Sequence, residues 1–254
     1  MKKTLAILVV ICIIITITLT SCAGSLKKDL EEASAKMRTV DKYCITTVLK
    51  TSIKYGGEVY PTTMTYKNKI IDATTDKIKG ESTVEIEENG EKAVGYLYTD
   101  GEWNYVIMGE EKYKVRPEDS EDTPISKIPS GLLNRAEVTD KDGSRTVKIN
   151  IDGKQFKELY PSMVEYLLDG YGFKTLFEDA VIYRAYMTIV IDAHGYISDI
   201  EVGFNARVTY DYYTYELTYF DKETYSDLNG DITVTFPEGY LDFEEFKDPS
   251  DSEI

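Results

Sequence analysis

Apolar and polar residues alternate along this chain with two different periods, which predict a few helices and many strands. From Leu26 to Val40 an apolar residue recurs every three or four positions with charged residues between, which predicts an amphipathic helix. From Tyr43 to Val115 short β-rich runs are separated by turn pairs such as Asn89-Gly90 and Asp100-Gly101. This spacing predicts a meander of antiparallel strands.

The second half of the chain predicts another helix and the longest strands. Apolar residues from Phe156 to Leu168 define one helical face, in which Pro161 marks either a helix start or a kink. Period-two alternation and turn signals predict strands over residues 136–139, 146–151, 181–192, 196–208, 210–221 and 231–236. Consecutive long strands joined by tight turns imply a large, strongly curved antiparallel sheet, and therefore an α+β fold.

The remaining segments divide the chain into four parts. Residues 117–134 contain three prolines and four acids and predict a long loop within the sheet domain. We expect a signal peptide over 1–21, an N-terminal segment with its helix over 22–42, one folded domain over 43–241, and a flexible acidic tail over 242–254.

The first 22 residues are typical of a bacterial lipoprotein signal peptide. Two lysines precede an apolar run from Leu5 to Leu19, and the ending Leu19-Thr20-Ser21-Cys22 resembles a lipobox. Cleavage before Cys22 would leave a cysteine that carries diacylglycerol and a further acyl chain such as palmitate. The alternative is an uncleaved transmembrane anchor, although a run of about 15 residues is shorter than a span needs. Either arrangement places the domain on the extracytoplasmic face of the cell membrane.

Charge narrows the choice of partners. The formal net charge is −16, and removal of residues 1–21, which carry two lysines and no acids, makes it −18. Such a surface repels phosphate, so nucleic-acid binding is not expected, and attachment to an anionic membrane would depend on the lipid at Cys22. We expect a monomer.

The sequence carries no recognisable catalytic, cofactor or metal motif. Cys12 is removed with the signal peptide and Cys22 carries the lipid, so Cys44 is the only free cysteine of the mature chain and no intramolecular disulfide is possible. The apolar surroundings of Cys44 predict a small buried side chain. The single histidine, His194, falls in a predicted hairpin turn. Asp140 to Gly143 resembles a calcium loop only superficially, because the later ligands are missing, and predicts a hairpin turn. We therefore expect no enzyme, no cofactor and no metal site, although carboxylates are too numerous to exclude a glycosidase pair by counting.

The layout of the chain resembles the LolA-like lipoprotein carrier superfamily, in particular its lipid-anchored Gram-positive lipoproteins. Four features carry the resemblance beside Cys22. They are the helix Leu26 to Val40 that runs into a strand at Tyr43, the Asp100 to Tyr105 hairpin, the Asp192 to Ile197 turn before a long alternating strand, and the closing segment Ile232 to Pro237.

This resemblance implies a half-open β-barrel whose concave apolar face is covered by helices and holds a lipid or the acyl chains of a lipoprotein. The residues that would line such a cavity are Phe156, Met163, Leu167, Ile200, Val202 and Phe204. A filled core would use the same side chains. One alternative is therefore an interaction module with a filled core, whose tyrosine-rich outer face binds another envelope protein. A separate alternative, based on the abundant carboxylates, is a cell-wall hydrolase.

Overall fold

The computed structural model describes residues 25–75, 77–116 and 128–246. The first described element is a helix, α1, over residues 25–37. Its apolar stripe is buried at Leu26, Leu30 and Ala33, as the spacing predicts. The helix ends earlier than predicted, since residues 38–39 form a turn in which the Thr39 hydroxyl donates to the Lys36 carbonyl oxygen.

Twelve strands of the described chain form one sheet. Their bounds are Tyr43–Tyr55 (β1), Glu58–Ile71 (β2), Lys79–Glu88 (β3), Glu91–Thr99 (β4), Asn104–Met108 (β5), Glu111–Val115 (β6), Glu137–Lys141 (β7), Ser144–Ile151 (β8), Val181–Ile191 (β9), Ile197–Tyr210 (β10), Tyr213–Ser226 (β11) and Glu244–Glu245 (β12). The order across the sheet is β12-β6-β5-β4-β3-β2-β1-β11-β10-β9-β8-β7. All pairs are antiparallel except β12 with β6. Because β12 and β7 lie at opposite edges and do not pair, the sheet is open, which confirms the predicted α+β class with a single half-open sheet.

Three more helices follow β6 in the chain. They are α2 (Ser130–Leu133), α3 (Gly153–Leu159) and α4 (Pro161–Gly170). Of the two roles predicted for Pro161, the structure shows the helix start: this residue lacks an amide hydrogen and takes the first position of α4, while the residues before it form α3. The side chain of Asp152 caps α3 by accepting hydrogen bonds from the amides of Lys154 and Gln155.

The hydrophobic core lies between these helices and one half of the sheet. Its fully buried strand residues belong to β1 and β8–β11, and its helical residues come from all four helices. The face of the sheet on which the helices pack is called the inner face below. Every core residue lies between Leu26 and Tyr219, so a chain that begins at Ser25 contains the whole core.

The C-terminal segment differs from its prediction. Residues 231–236 form no strand but cross the opposite, outer face, where the ring of Phe236 lies 5.9 Å from that of Tyr98 and 6.2 Å from that of Tyr105. Past residue 241, where a flexible tail was expected to begin, β12 pairs with β6, and Phe243 packs against Tyr105. Aromatic packing therefore replaces the predicted backbone pairing.

Three expectations fall wholly or partly on other parts of the chain. The signal peptide and Cys22 lie outside the described residues, as do residues 117–127 of the predicted loop; the rest of that loop contains α2. Among the helices that are described, none is both long enough and apolar enough to cross a bilayer.

Candidate ligand-binding face

The side chains predicted to line a cavity lie in the core between the helices and β10. Phe156, Leu167, Val202 and Phe204 are at most 2% exposed, and Met163 packs against them partly buried. The ring of Phe204 lies 4.9 Å from those of Phe156 and Tyr219 and is stacked on the latter. These contacts fill the space beneath α3 and α4 with protein atoms, so a ligand there would have to displace side chains.

Ile200 is the predicted residue that borders a pocket. This pocket, of about 230 Å³, lies where the end of α1 meets β1, β10 and β11. Its lining residues are Ser34, Met37, Arg38, Val40, Tyr43, Ala73, Ile197, Ile200 and Tyr225. It is mainly apolar, but this volume holds only part of an acyl chain.

A larger apolar surface covers the inner face of β2–β5. The antiparallel register places Leu49 of the core opposite Met64, Met64 opposite Ile86, and Ile86 opposite Ala93, so alternate residues of these strands share the inner face. We define the open inner face as Met64, Tyr66, Ile70, Val84, Ile86, Leu97, Val106 and Met108. All eight are half-buried, and Met64 alone among them packs against the core.

The outer face of the same strands is polar. Its exposed charges form ion pairs across neighbouring strands, with Lys67 2.7 Å from Glu85 and Lys69 3.1 Å from Glu81. A sheet that alternates in this way normally packs its apolar side against another layer. The buried residues of α1–α4 form one core cluster with residues of β1 and β8–β11, and Met64 is the residue of β2–β5 that packs against this cluster.

Two glycines keep the open inner face smooth. At Gly95 a side chain would begin 2.8 Å from the terminal methyl of Met108, and at Gly80 it would begin 2.9 Å from the methyl of Thr99. Neighbouring side chains therefore lie flat over the glycine backbone instead of standing away from the sheet. The result is a shallow, mainly apolar surface in which Asn68 and Ser82 are the polar residues between Tyr66 and Ile70.

A polar group adjoins this surface near the middle of the sheet. Asp221 of β11 lies on the inner face, between Leu49 of β1 and Val202 of β10. Burial raises the pKa of the phenols of Tyr66 in the open inner face and Tyr166 of α4. Asp221 adds to the rise for both, and for Tyr66 the effect of Tyr166 is larger than that of Asp221. Tyr219 and Glu223 flank Asp221 on the same face of β11. We call Asp221, Glu223, Tyr66, Tyr166 and Tyr219 the Asp221 group.

Burial dominates the electrostatics of this group. It raises the pKa of Asp221 to about 6, and the charge of Glu223 adds to the rise, while the nearby phenol of Tyr219 opposes it. Burial also raises the pKa of Tyr219, so this phenol stays protonated as a hydrogen-bond donor. The group offers carboxylate acceptors beside an apolar surface.

Sequence reasoning missed this site, although the signal was present. Asp221 shares the period-two face of Leu217 and Tyr219, where an apolar residue is expected, and a charge in such a register is unusual.

Cys44 also differs from its prediction, because it is half-buried rather than buried. Burial raises the pKa of its thiol, and Asp227 adds to the rise.

The residues considered for metal or acid–base chemistry lie apart from this site. His194 occupies the β9–β10 turn, where its amide donates to the Asp192 side chain. Asp142 and Gly143 adopt positive φ in the β7–β8 turn, which confirms a hairpin turn there. Within the described ranges no three His, Cys, Asp or Glu side chains converge in a way that would hold a metal ion.

Comparisons with known proteins give structural likenesses at low identity. No family model and no curated protein matches the sequence. Among solved structures, LprF from Mycobacterium bovis is similar at 12% identity with a TM-score of 0.43, covering 85% of this chain and 98% of LprF. The LolA superfamily protein NE2245 from Nitrosomonas europaea is similar at 10% identity with a TM-score of 0.28, covering 84% of this chain and 95% of NE2245. A DUF1329 family protein from Desulfovibrio piger is similar at 11% identity with a TM-score of 0.25, covering 83% of this chain and 95% of that protein.

Proposed function

We propose that this chain is a lipid-anchored extracytoplasmic protein that binds the acyl chains of a lipid or lipoprotein on its open inner face. The observation that carries the proposal is the unequal cover of one sheet: helices pack over β1 and β8–β11, whereas the apolar side chains of β2–β5 stay half-exposed. Burying a methylene group on such a surface is worth about 0.8 kcal/mol. A long acyl chain laid across several strands would therefore be held without any covalent step.

The proposed site differs from the six residues expected from the sequence. Phe156, Val202 and Phe204 lie in the filled region, so we assign them to the core that supports the sheet and not to the ligand. Ile200 remains near the ligand through the pocket at the end of α1. The acyl chains would lie on Met64, Val84, Ile86 and Leu97 instead.

Retention of lipid by the soluble body tests the proposal. The chain from Ser25 onward is purified from a bacterial host, analysed by native mass spectrometry, and extracted with organic solvent. A stoichiometric lipid that leaves only on denaturation is expected. Val84→Asp places a charge on the open inner face and should reduce the retained lipid at least tenfold, because the carboxylate would be desolvated against the chains.

A matched control separates a local effect from a general one. Val94 is 48% exposed on the outer face of the adjacent strand β4, so Val94→Asp makes the same chemical change away from the ligand. It should retain lipid like the wild type. A bare mass for the wild type after incubation with membrane lipids, or equal retention by both variants, would contradict the proposal.

The filled core also supports one alternative function. Because Phe156, Phe204 and Tyr219 close the space under the helices, an interaction module that binds an envelope protein needs no cavity at all. In that case the wild type would carry no lipid, and crosslinking in cells through tyrosines of the outer face, such as Tyr96, would capture a protein partner.

A further inference from the structure

Two buried side-chain oxygens in the described part of the chain have no hydrogen-bond partner, and both belong to the inner face. One is Oδ1 of Asp221, and the other is the hydroxyl of Ser82. Ser82 is 4% exposed and lies between Asn68 of β2 and Leu97 of β4, within the open inner face. Buried polar atoms normally find a partner, so the free oxygen of Asp221 is available to the polar part of a ligand.

The surroundings of Asp221 determine the charge of that partner. The groups that affect the Asp221 carboxyl are the carboxylate of Glu223 and the phenols of the Asp221 group, with Tyr225 slightly further along β11. None of these is a cation. Lys222, the neighbour of Asp221 in the strand, points to the outer face and pairs with Asp199 at 3.3 Å. An ionised, desolvated carboxylate without a cation is unfavourable, and a positively charged hydrogen-bond donor would relieve it.

We infer that the ligand is an amphiphile whose headgroup carries a protonated amine, seated against Asp221 while its acyl chains lie on Met64, Val84, Ile86 and Leu97. This inference rests on the proposed function and names its ligand class. Asp221 is partly accessible as a residue and lies two strands from β2, so a headgroup and its chains can occupy both places at once.

Competition between two headgroups on identical acyl chains tests the inference. The chain from Ser25 is incubated with vesicles that contain equal amounts of phosphatidylethanolamine and phosphatidylglycerol, reisolated, and extracted. The wild type should retain the ethanolamine lipid in about tenfold preference, since a charge-assisted hydrogen bond favours it. Asp221→Asn removes the charge at nearly constant shape and should reduce the preference to less than threefold.

A second variant controls for the acidity of the whole protein, which disfavours any anionic lipid. Asp199→Asn removes one carboxylate from the outer face of the neighbouring strand β10 and should keep the preference of the wild type. Equal retention of both lipids by the wild type, or a preference that survives in Asp221→Asn, would overturn the headgroup assignment while leaving acyl binding in place. Retention of neither lipid would instead refute the proposed function.

The pH dependence of the lipid preference gives an independent test with the same proteins. With the pKa of the free carboxyl at about 6, Asp221 is ionised at pH 7.5 and mostly protonated at pH 5. The preference of the wild type should therefore fall about tenfold between these values, because the amine pairs only with the ionised form. Tyr66, Tyr166 and Tyr219 stay protonated over this range. Asp221→Asn should show no such fall, and a pH-independent preference in the wild type would contradict the pairing.

Discussion

Asp100 shows how one side chain determines a turn. Its carboxylate accepts hydrogen bonds from the amides of Glu102 (3.0 Å) and Trp103 (2.9 Å) and from the hydroxyl of Tyr105 (2.7 Å). Although burial alone would raise it, these hydrogen bonds hold the pKa of Asp100 below its ordinary value. The ring of Tyr105 is 1% exposed and forms the centre of the aromatic contacts on the outer face. The turn and this aromatic cluster are thus coupled through one carboxylate.

Replacing Asp100 with alanine should lower the free energy of unfolding by about 1–2 kcal/mol, because the buried Tyr105 hydroxyl loses its acceptor. Since the folded pKa is depressed, this stabilisation is complete above the unfolded pKa of about 3.9 and is lost as the pH falls through the lower folded value. Urea denaturation from pH 7 to pH 3 should therefore show the difference between the two proteins narrowing below about pH 4. A difference that is constant over this range would exclude the ionised carboxylate as its source.

At the scale of elements, the C-terminal segment acts as a strap across the outer face. Phe236 contacts the rings of Tyr98, Tyr105 and Tyr240, with its centroid 4.6 Å from that of Tyr240. The amide of Thr235 donates to Glu81 of β3. The strap thereby supports strands that no described helix covers.

Phe236→Ala should lower the free energy of unfolding by about 2 kcal/mol, since the ring is partly buried among aromatic side chains. Hydrogen exchange should accelerate in β4–β6 and stay unchanged in β8–β11. Leu241 lies in the same segment but is 63% exposed, so Leu241→Ala should leave both quantities as in the wild type. Uniform acceleration over the whole sheet would show that the strap supports the whole core and not one half of it.

Local patterns predicted the helices and strands better than they predicted which segments pair or pack with each other. The spacing of Leu26, Leu30 and Ala33 gave α1, and period-two alternation gave the long strands, because each signal depends only on neighbours in sequence. The segment 231–236 has the same alternation yet forms no strand, since Phe236 finds aromatic partners on the outer face. Whether Phe156 and Phe204 line a cavity or fill it depends on the distance between helix and sheet, which no local pattern encodes.

At the scale of the whole molecule, the position of α1 determines where an anchor would lie. Asp29 of this helix pairs with Arg145 of β8, which also contacts Asp140 at 2.8 Å. Lys36 lies 4.0 Å from the centre of the Tyr196 ring, near the β9–β10 turn. The helix is therefore fixed to one end of the sheet, and a lipid three residues before Ser25 would hold that end close to a membrane.

Labelling of cells with radioactive palmitate tests the anchor directly. The protein should incorporate the label and sediment with membranes, because two or more acyl chains make the attachment stable. Cys22→Ser should abolish the labelling, whereas Cys44→Ser, which changes the other cysteine of the mature chain, should leave it intact. Labelling that survives in Cys22→Ser would place the modification elsewhere.

The strand order has a consequence for the time course of folding. β1 lies between two parts of the sheet. On one side β2–β6 follow β1 directly in the chain, whereas on the other side residue 226 of β11 pairs with residue 44 of β1. Closing so long a loop is entropically slow, so the edge of β1 stays unpaired until almost the entire polypeptide has been synthesised. During that interval the nascent chain exposes both this edge and the apolar side of its first hairpins, and it is then most vulnerable to aggregation and proteolysis.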